Sequence, residues 1–209
     1  MPIPKVMHMP DCTTAHTLSQ LRTASNPVRW LALWTDWLKL PSYERKIASV
    51  FDAVILASER DLAAYGQVMG NHAPNQIADW AFGVDTDEFA PLDLERQPDM
   101  LVFVGGLGYY PNVEGIRYFV SDVFPLVVAQ CPQVRLTIVG ADPPACIAQL
   151  QSERVQVTGY VDDIRPFIAK AMVSLCPIRI GGGAQNKVLE AMALGTPVVF
   201  DATHSVQLR

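Results

Sequence analysis

No stretch of this 209-residue sequence reaches the about 18 consecutive apolar residues that a membrane-spanning helix needs. Its opening, MPIPKVMHMPD, lacks the charged, apolar and small-residue layout of a signal peptide. Basic excess is missing too. With 16 Lys and Arg against 21 Asp and Glu, the net charge of −5 argues against general nucleic-acid binding, which usually needs a basic face. Any phosphate contact is therefore local. Cysteine is scarce: Cys12, Cys131, Cys146 and Cys176 are scattered with no CxxC pair, which excludes a disulfide scaffold and argues against a cysteine metal site. They read as reduced thiols in or near the core. Repeats and low-complexity tracts are absent. What these absences leave is a cytoplasmic protein, attached to a membrane surface at most. Half of its residues are hydrophobic and 18% charged, a globular balance long enough for one large domain or two small ones.

What is present centres on Cys176 to Phe200, CPIRIGGGAQNKVLEAMALGTPVVF. It reads as a buried strand through Val173–Cys176, a turn at Gly181-Gly182-Gly183, a helix over about Ala184–Leu194 and a strand through Thr196–Phe200. Consecutive glycines bare backbone N–H groups where a helix begins, and a helix N-terminus carries partial positive charge, so the junction suits an anion. Arg179 and Lys187 flank it, and Glu190 follows Lys187 on the same side of the helix. A nucleoside diphosphate fits this order, with phosphates at the glycines and cations and a carboxylate on the ribose hydroxyls. A tight turn beside a surface ion pair fits it equally well.

Along the chain, Ile3–Met9 reads as a short strand and Asp11–Ser25 as a helix broken at Asn26-Pro27. A second helical stretch follows, interrupted at Pro41. Trp30, Trp34 and Trp37 share one face of it. That face reads first as core packing, and alternatively as an interfacial patch for a membrane or lipid-linked substrate. Ala53–Ala57 is a buried strand, and Ser58 caps the helix Glu59–Val68. Ile77–Phe82 is a further strand. Residues 83–98 form a polar linker between two domains, 1–82 and 99–209. From Met100 the pattern is regular: strand MLVFV, Gly105-Gly106, a helix from Pro111 to about Gln130, strand Arg135–Val139, a short helix at Ala145–Gln151, strand Val155–Thr158, and helix Asp163–Lys170. Alternation of this kind means a parallel sheet whose carboxyl edge gathers the glycine-bearing loops.

The segments LVFVGGLGYYPNVEG, LTIVGADPP, VTGYVDDIRPFIAKA and PIRIGGGAQNKVLEAMALGTPVV together resemble the donor-binding domain of retaining GT-B glycosyltransferases of family 4, closest to the branch associated with exopolysaccharide and PEP-CTERM systems. YERKIASVFDAVILASERD and GVDTDEFAP are similar to the later half of such an enzyme's acceptor-side domain. The resemblance implies an α/β fold of GT-B type, two Rossmann-like domains with parallel sheets, the first partly present and the second without its closing elements, as in a chain truncated at both ends. It implies metal-independent transfer of a sugar from a nucleoside-diphosphate sugar to a glycan or lipid-linked acceptor, with retention and with no cofactor. A non-catalytic nucleotide-sugar-binding or partner-binding module derived from such an enzyme is the alternative.

In that family an E-x7-E pair frames the donor. Glu190 matches the second glutamate, and Gly182 stands where the first belongs, so sugar recognition falls to Gly182, Gly183 and Gln185. Gly106 occupies the place of the family's phosphate-binding Arg, and the Lys that follows is missing, which shifts leaving-diphosphate stabilisation to Arg179 and Lys187. The expected donor-binding set is Gly105, Gly106, Gly159, Tyr160, Val161, Gly181, Gly182, Gly183, Gln185, Asn186 and Glu190, with the base near Gly159–Val161. Asp85-Thr86-Asp87 resembles the DxD motif of another glycosyltransferase architecture and reads here as turn chemistry. On the acceptor side the nearest polar groups are Asp11 and His16, which read first as helix-start or surface residues.

Overall fold

The computed structural model describes residues 3–9, 11–24, 26–56, 58–70, 76–79 (backbone), 83–180 and 185–201. The chain divides into two compact units, one made mainly of residues 1–82 and one mainly of residues 83–179 and 185–206.

The first unit is a three-stranded parallel sheet of β1 (Val6–Met9), β2 (Ala53–Leu56) and β3 (Gln76–Asp79), with β2 central. Helices α1 (Thr13–Thr23) and α2 (Pro27–Ala48) join β1 to β2, and α3 (Glu59–Met69) joins β2 to β3. Asn26 starts α2 by accepting from Val28 N at 2.9 Å and Arg29 N at 3.2 Å, with Pro27 pre-set for the first turn. Helix α2 runs through Pro41 without a break, contrary to the sequence expectation. Proline removes only its own N–H from the ladder, and the carbonyl this frees, at Trp37, lies on a half-buried part of a 22-residue helix secured at its start. Ser58 caps α3, its Oγ accepting from Asp61 N at 3.0 Å. Cys12, Ala48, Val54, Leu56, Tyr65 and Met69 form the core. Glu44 and Asp61 are buried beside it and hold the entry to α1: Glu44 accepts from Thr14 N at 3.2 Å and Thr14 Oγ1 at 2.5 Å, and Asp61 from Cys12 N at 3.1 Å. Burial first, then the Asp61 charge, pushes the Asp11 carboxyl upward, with His16 opposing.

Two of the three tryptophans on the Trp face are not core, while Trp37 is half-buried. Trp30 is 41% and Trp34 39% exposed, their rings stacked with centroids 6.2 Å apart, and Leu31 and Leu38 are exposed beside them. Among the described residues no helix is long and apolar enough to cross a membrane.

The second unit is a five-stranded, all-parallel sheet in the order β6-β5-β4-β7-β8, from β4 (Gln97–Val104), β5 (Arg135–Val139), β6 (Val155–Gly159), β7 (Ala171–Cys176) and β8 (Val198–Phe200). Strand β4 is central, and its inner end is apolar because both faces are covered. One face packs Phe103, Ile116, Leu136, Ile138 and Val188, and the other Val102, Val104, Ile168, Ala191 and Leu194. Helix α4 (Tyr110–Tyr118) passes through a π-helical turn at Phe119–Val123 into α5 (Phe124–Gln130), so the long helix expected from sequence carries an interruption. Phe124 N bonds to Phe119 O, five residues back, and Pro125 has no N–H to give. Helices α6 (Ala145–Ala148), α7 (Arg165–Lys170) and α8 (Asn186–Ala193) complete the crossovers. Asp85 forms a turn by accepting from Asp87 N at 2.9 Å and Glu88 N at 3.1 Å, the chemistry its sequence suggested. All four cysteines are free; Cys12 and Cys176 are buried and Cys146 packs half-buried against the core, as expected, whereas Cys131 is exposed.

Candidate functional site

The chain order reverses at β4, with β5 on one side and β7 on the other, and the crevice beyond their carboxyl ends is where an open parallel sheet receives a ligand. Three strand ends are stitched together there by backbone. Gly105 N bonds to Val139 O at 3.0 Å and Gly140 N to Gly159 O at 3.2 Å. Gly159 has φ of +74°, a left-handed turn that favours glycine. Gly140 is glycine for a different reason, since a Cβ would stand 2.1 Å from Gly105 O.

Lys187, on the first turn of α8, reaches this edge. Its Nζ donates to Asn112 Oδ1 at 2.6 Å and stands 4.7 Å from the centroid of Phe103. A Cβ on Gly105 would lie 3.1 Å from that Nζ, so the bare glycine admits the ammonium. Gly106 has open space around its Cβ position. The Gln185 side chain does not cap α8, whose first turn carries the partial positive charge of a helix N-terminus. Gln185 Oε1 lies 3.9 Å from Cys176 Sγ, and Asn186 is exposed.

Charge at the site follows from desolvation. Burial pulls the Lys187 ammonium below the ordinary lysine range, with Cys176 and Glu190 opposing. Burial pushes Glu190 up, Lys187 opposing and Glu88 adding to the rise. It also pushes up the Cys176 thiol, which keeps it protonated.

Arg179, expected beside Lys187, is turned elsewhere. Its guanidinium pairs with Glu114 of α4 and lies 3.5 Å above the Tyr118 ring. Each cation thus has its own partner on α4. Gly159 ends β6, two strands away from β4, and Tyr160 and Val161 follow it; Tyr160 is 72% exposed and Val161 packs against the core. Gly181, Gly182 and Gly183 lie outside the described residues. Sequence reasoning did not single out Asn112, Phe103, Glu114 or Gly140. Only Asn112 carried a signal, as a polar residue directly after the proline that opens the helix at the switch point. Among the described residues there is no group of three or more His, Cys, Asp and Glu that could hold a metal ion.

TarM of S. aureus shares the fold at a TM-score of 0.63 and 15% identity, over 81% of this chain and 33% of its own. HepE of Anabaena, solved with UDP and glucose, matches at 0.61 and 18%, over 96% of this chain and 53% of its own. A UDP-forming trehalose-phosphate synthase from Burkholderia xenovorans matches at 0.59 and 14%, over 88% and 51%. The chain thus spans from a third to about half the length of these proteins. No curated protein matches it by sequence. Its parallel-sheet α/β architecture is that of GT-B glycosyltransferases. Residues 98–207, more than half of the chain, match the family described as "Glycosyl transferases group 1", and the chain belongs to that family.

Proposed function

We propose that this chain carries the donor side of a glycosyltransferase that moves a sugar, with retention and without a metal or cofactor, from a nucleoside-diphosphate sugar to a glycan or lipid-linked acceptor. The motif resemblance supports an assignment to the family 4 branch serving exopolysaccharide or other glycoconjugate synthesis. Residues 1–82 are its part of the acceptor-side domain, 83–98 the linker and 99–209 the donor domain. The observation that carries this reading is Lys187 held at the Gly105–Gly106 loop of the switch point, with Glu190 one turn further along α8.

In this reading the diphosphate lies over the Gly105–Gly106 backbone and the start of α8, with Gly181–Gly183, Gln185 and Asn186 around the sugar and Gly159–Val161 around the base. Lys187 neutralises charge building on the leaving diphosphate, an effect larger in a dry cleft than in water. Arg179 joins it once a phosphate displaces Glu114. Glu190 accepts from the ribose hydroxyls. The exposed Trp30–Trp34 stack supports work at the cytoplasmic face of a membrane, where a lipid-linked acceptor is found.

The test is calorimetric titration with UDP, GDP and ADP in EDTA. One of the three binds, and Glu190→Ala weakens it by losing one or two charge-assisted hydrogen bonds, about 1.5–3 kcal/mol each. Equal binding by the variant removes the role of Glu190, and failure of all three to bind the unmodified chain removes the donor site. Turnover with the matching sugar nucleotide separates an enzyme from a binding module.

A further inference from the structure

Asn112 makes two hydrogen bonds with the two ends of one amide. Its Oδ1 accepts from Lys187 Nζ at 2.6 Å, and its Nδ2 donates to the Gly106 carbonyl at 2.9 Å. The amide orientation is unambiguous, because an ammonium can only donate and a carbonyl can only accept. The side chain is 7% exposed and sits on the first turn of α4, where its own N–H bonds to Tyr109 O at 3.0 Å. Gly105 leaves room for both bonds: a Cβ there would lie 2.9 Å from Asn112 Nδ2 and 3.1 Å from Lys187 Nζ. One buried amide therefore ties the ammonium of α8 to the loop that follows β4.

We propose that Asn112 is the positioning residue that presents the Lys187 ammonium, with no carboxylate as its anchor, to a diphosphate at the Gly105–Gly106 loop. The proposal rests on the donor-site reading above. A lysine has a flexible four-carbon stem and needs an anchor to act at one point. A carboxylate would anchor it and also cancel its charge, which is the arrangement Arg179 has with Glu114. A neutral amide anchors without cancelling. Of the other groups around Lys187, two bring no negative charge and the third, Glu190, is a carboxylate that favours the charged form of the lysine. From β4 comes the Phe103 ring, from β7 the Cys176 thiol, held protonated by burial, and from α8 itself Glu190, the carboxylate assigned to the ribose.

Two measurements on Asn112→Asp and Asn112→Ser test this. The first needs no ligand: the Lys187 Cε resonance is titrated by NMR, and in Asn112→Asp its midpoint rises by about one pH unit or more, because an adjacent negative charge favours the charged form. A residue 112 that does not face the ammonium would not move it. The second is UDP titration at neutral pH, with GDP or ADP in its place if one of those is the nucleotide bound. Asn112→Asp loses about tenfold or more by neutralising the cation, and Asn112→Ser, too short to reach both partners, loses several-fold. Should Asn112→Asp fail to fold, Asn112→Ser carries the affinity test. An unmoved Lys187 midpoint, or diphosphate affinity within twofold of the unmodified chain in both variants, overturns the role of Asn112 and leaves the donor site standing. Absence of diphosphate binding by the unmodified chain overturns both.

Discussion

Gly140→Ala perturbs the stitched edge at its tightest point. The added methyl would meet Gly105 O at 2.1 Å, Leu107 Cγ at 2.9 Å and Leu107 Cδ1 at 3.2 Å. A carbon and a carbonyl oxygen rest at about 3.3 Å or more, so one backbone must retreat by roughly 1 Å. Leu107 is 1% exposed and cannot swing aside into solvent. Overpacking of this kind costs about 1–3 kcal/mol, and a backbone obstacle backed by a buried leucine puts this site at about 3 kcal/mol. For a chain of this size that lowers Tm by about 6–12 °C. Gly106→Ala is the matched control, because nothing lies within 4 Å of its Cβ position and its backbone is not left-handed. Its stability should stay within about 0.5 kcal/mol of the unmodified chain. Differential scanning calorimetry of the two variants decides the matter. If Gly140→Ala melts within about 2 °C of Gly106→Ala, less than 1 kcal/mol separates them and the strand-end contact is not as close as described.

Alkaline pH should weaken the first unit. Burial pushes the Cys12 thiol from 9.0 up to about 11, so its stabilising contribution is full below pH 9 and is lost between pH 9 and 11, as the unfolded chain ionises first. The loss from this thiol reaches about 3 kcal/mol, and Tyr65, pushed by burial from 10.0 up to about 12, extends it. Urea midpoints measured from pH 8 to 11 should fall in the unmodified chain and fall less in Cys12→Ala; a flat profile refutes the account. On helix α2 of that unit, replacing Trp30 and Trp34 together by Ala should leave the Tm nearly unchanged while cutting sedimentation with anionic phosphatidylglycerol vesicles by about fivefold or more. Equal sedimentation would sink the membrane contact.

Strands were legible where they are buried on both faces. The run Met100–Val104 is a continuous apolar stretch, and Leu136–Val139 is buried throughout with Thr137 its one polar residue; strands covered on two faces in a parallel sheet leave little choice of residue. Glycine-bearing strand ends were legible because tight turns and close backbone approach have few other solutions. The Trp face was misread because helical periodicity shows which residues share a face and says nothing of what that face meets. Pro41 was misread for a related reason: a local rule was applied to a helix long enough to absorb one missing bond. At the site, Lys187 was found from its neighbours in sequence, whereas Asn112, 75 residues away, is known as its partner only once α4 and α8 meet. The direction of Arg179 was equally illegible, since the Glu114 that claims it comes from another crossover.

The π-helical turn at Phe119–Val123 gives the two halves of that crossover separate phases. Successive residues of an α-helix are about 100° apart, so side chains five positions apart would diverge by about 140°. Widening one turn closes that angle, and Phe119 and Phe124 both turn inward, 7% and 5% exposed, with ring centroids 6.2 Å apart. The half that carries Asn112 and Glu114 can therefore be oriented by the ligand edge, while the half beyond Phe124 is oriented by what it covers. Residues can be exchanged in either half without rotating the other, and removing one residue from the wide turn would leave the two phenylalanines four positions and about 40° apart, so that an ordinary α-turn still keeps Phe124 on the inward face.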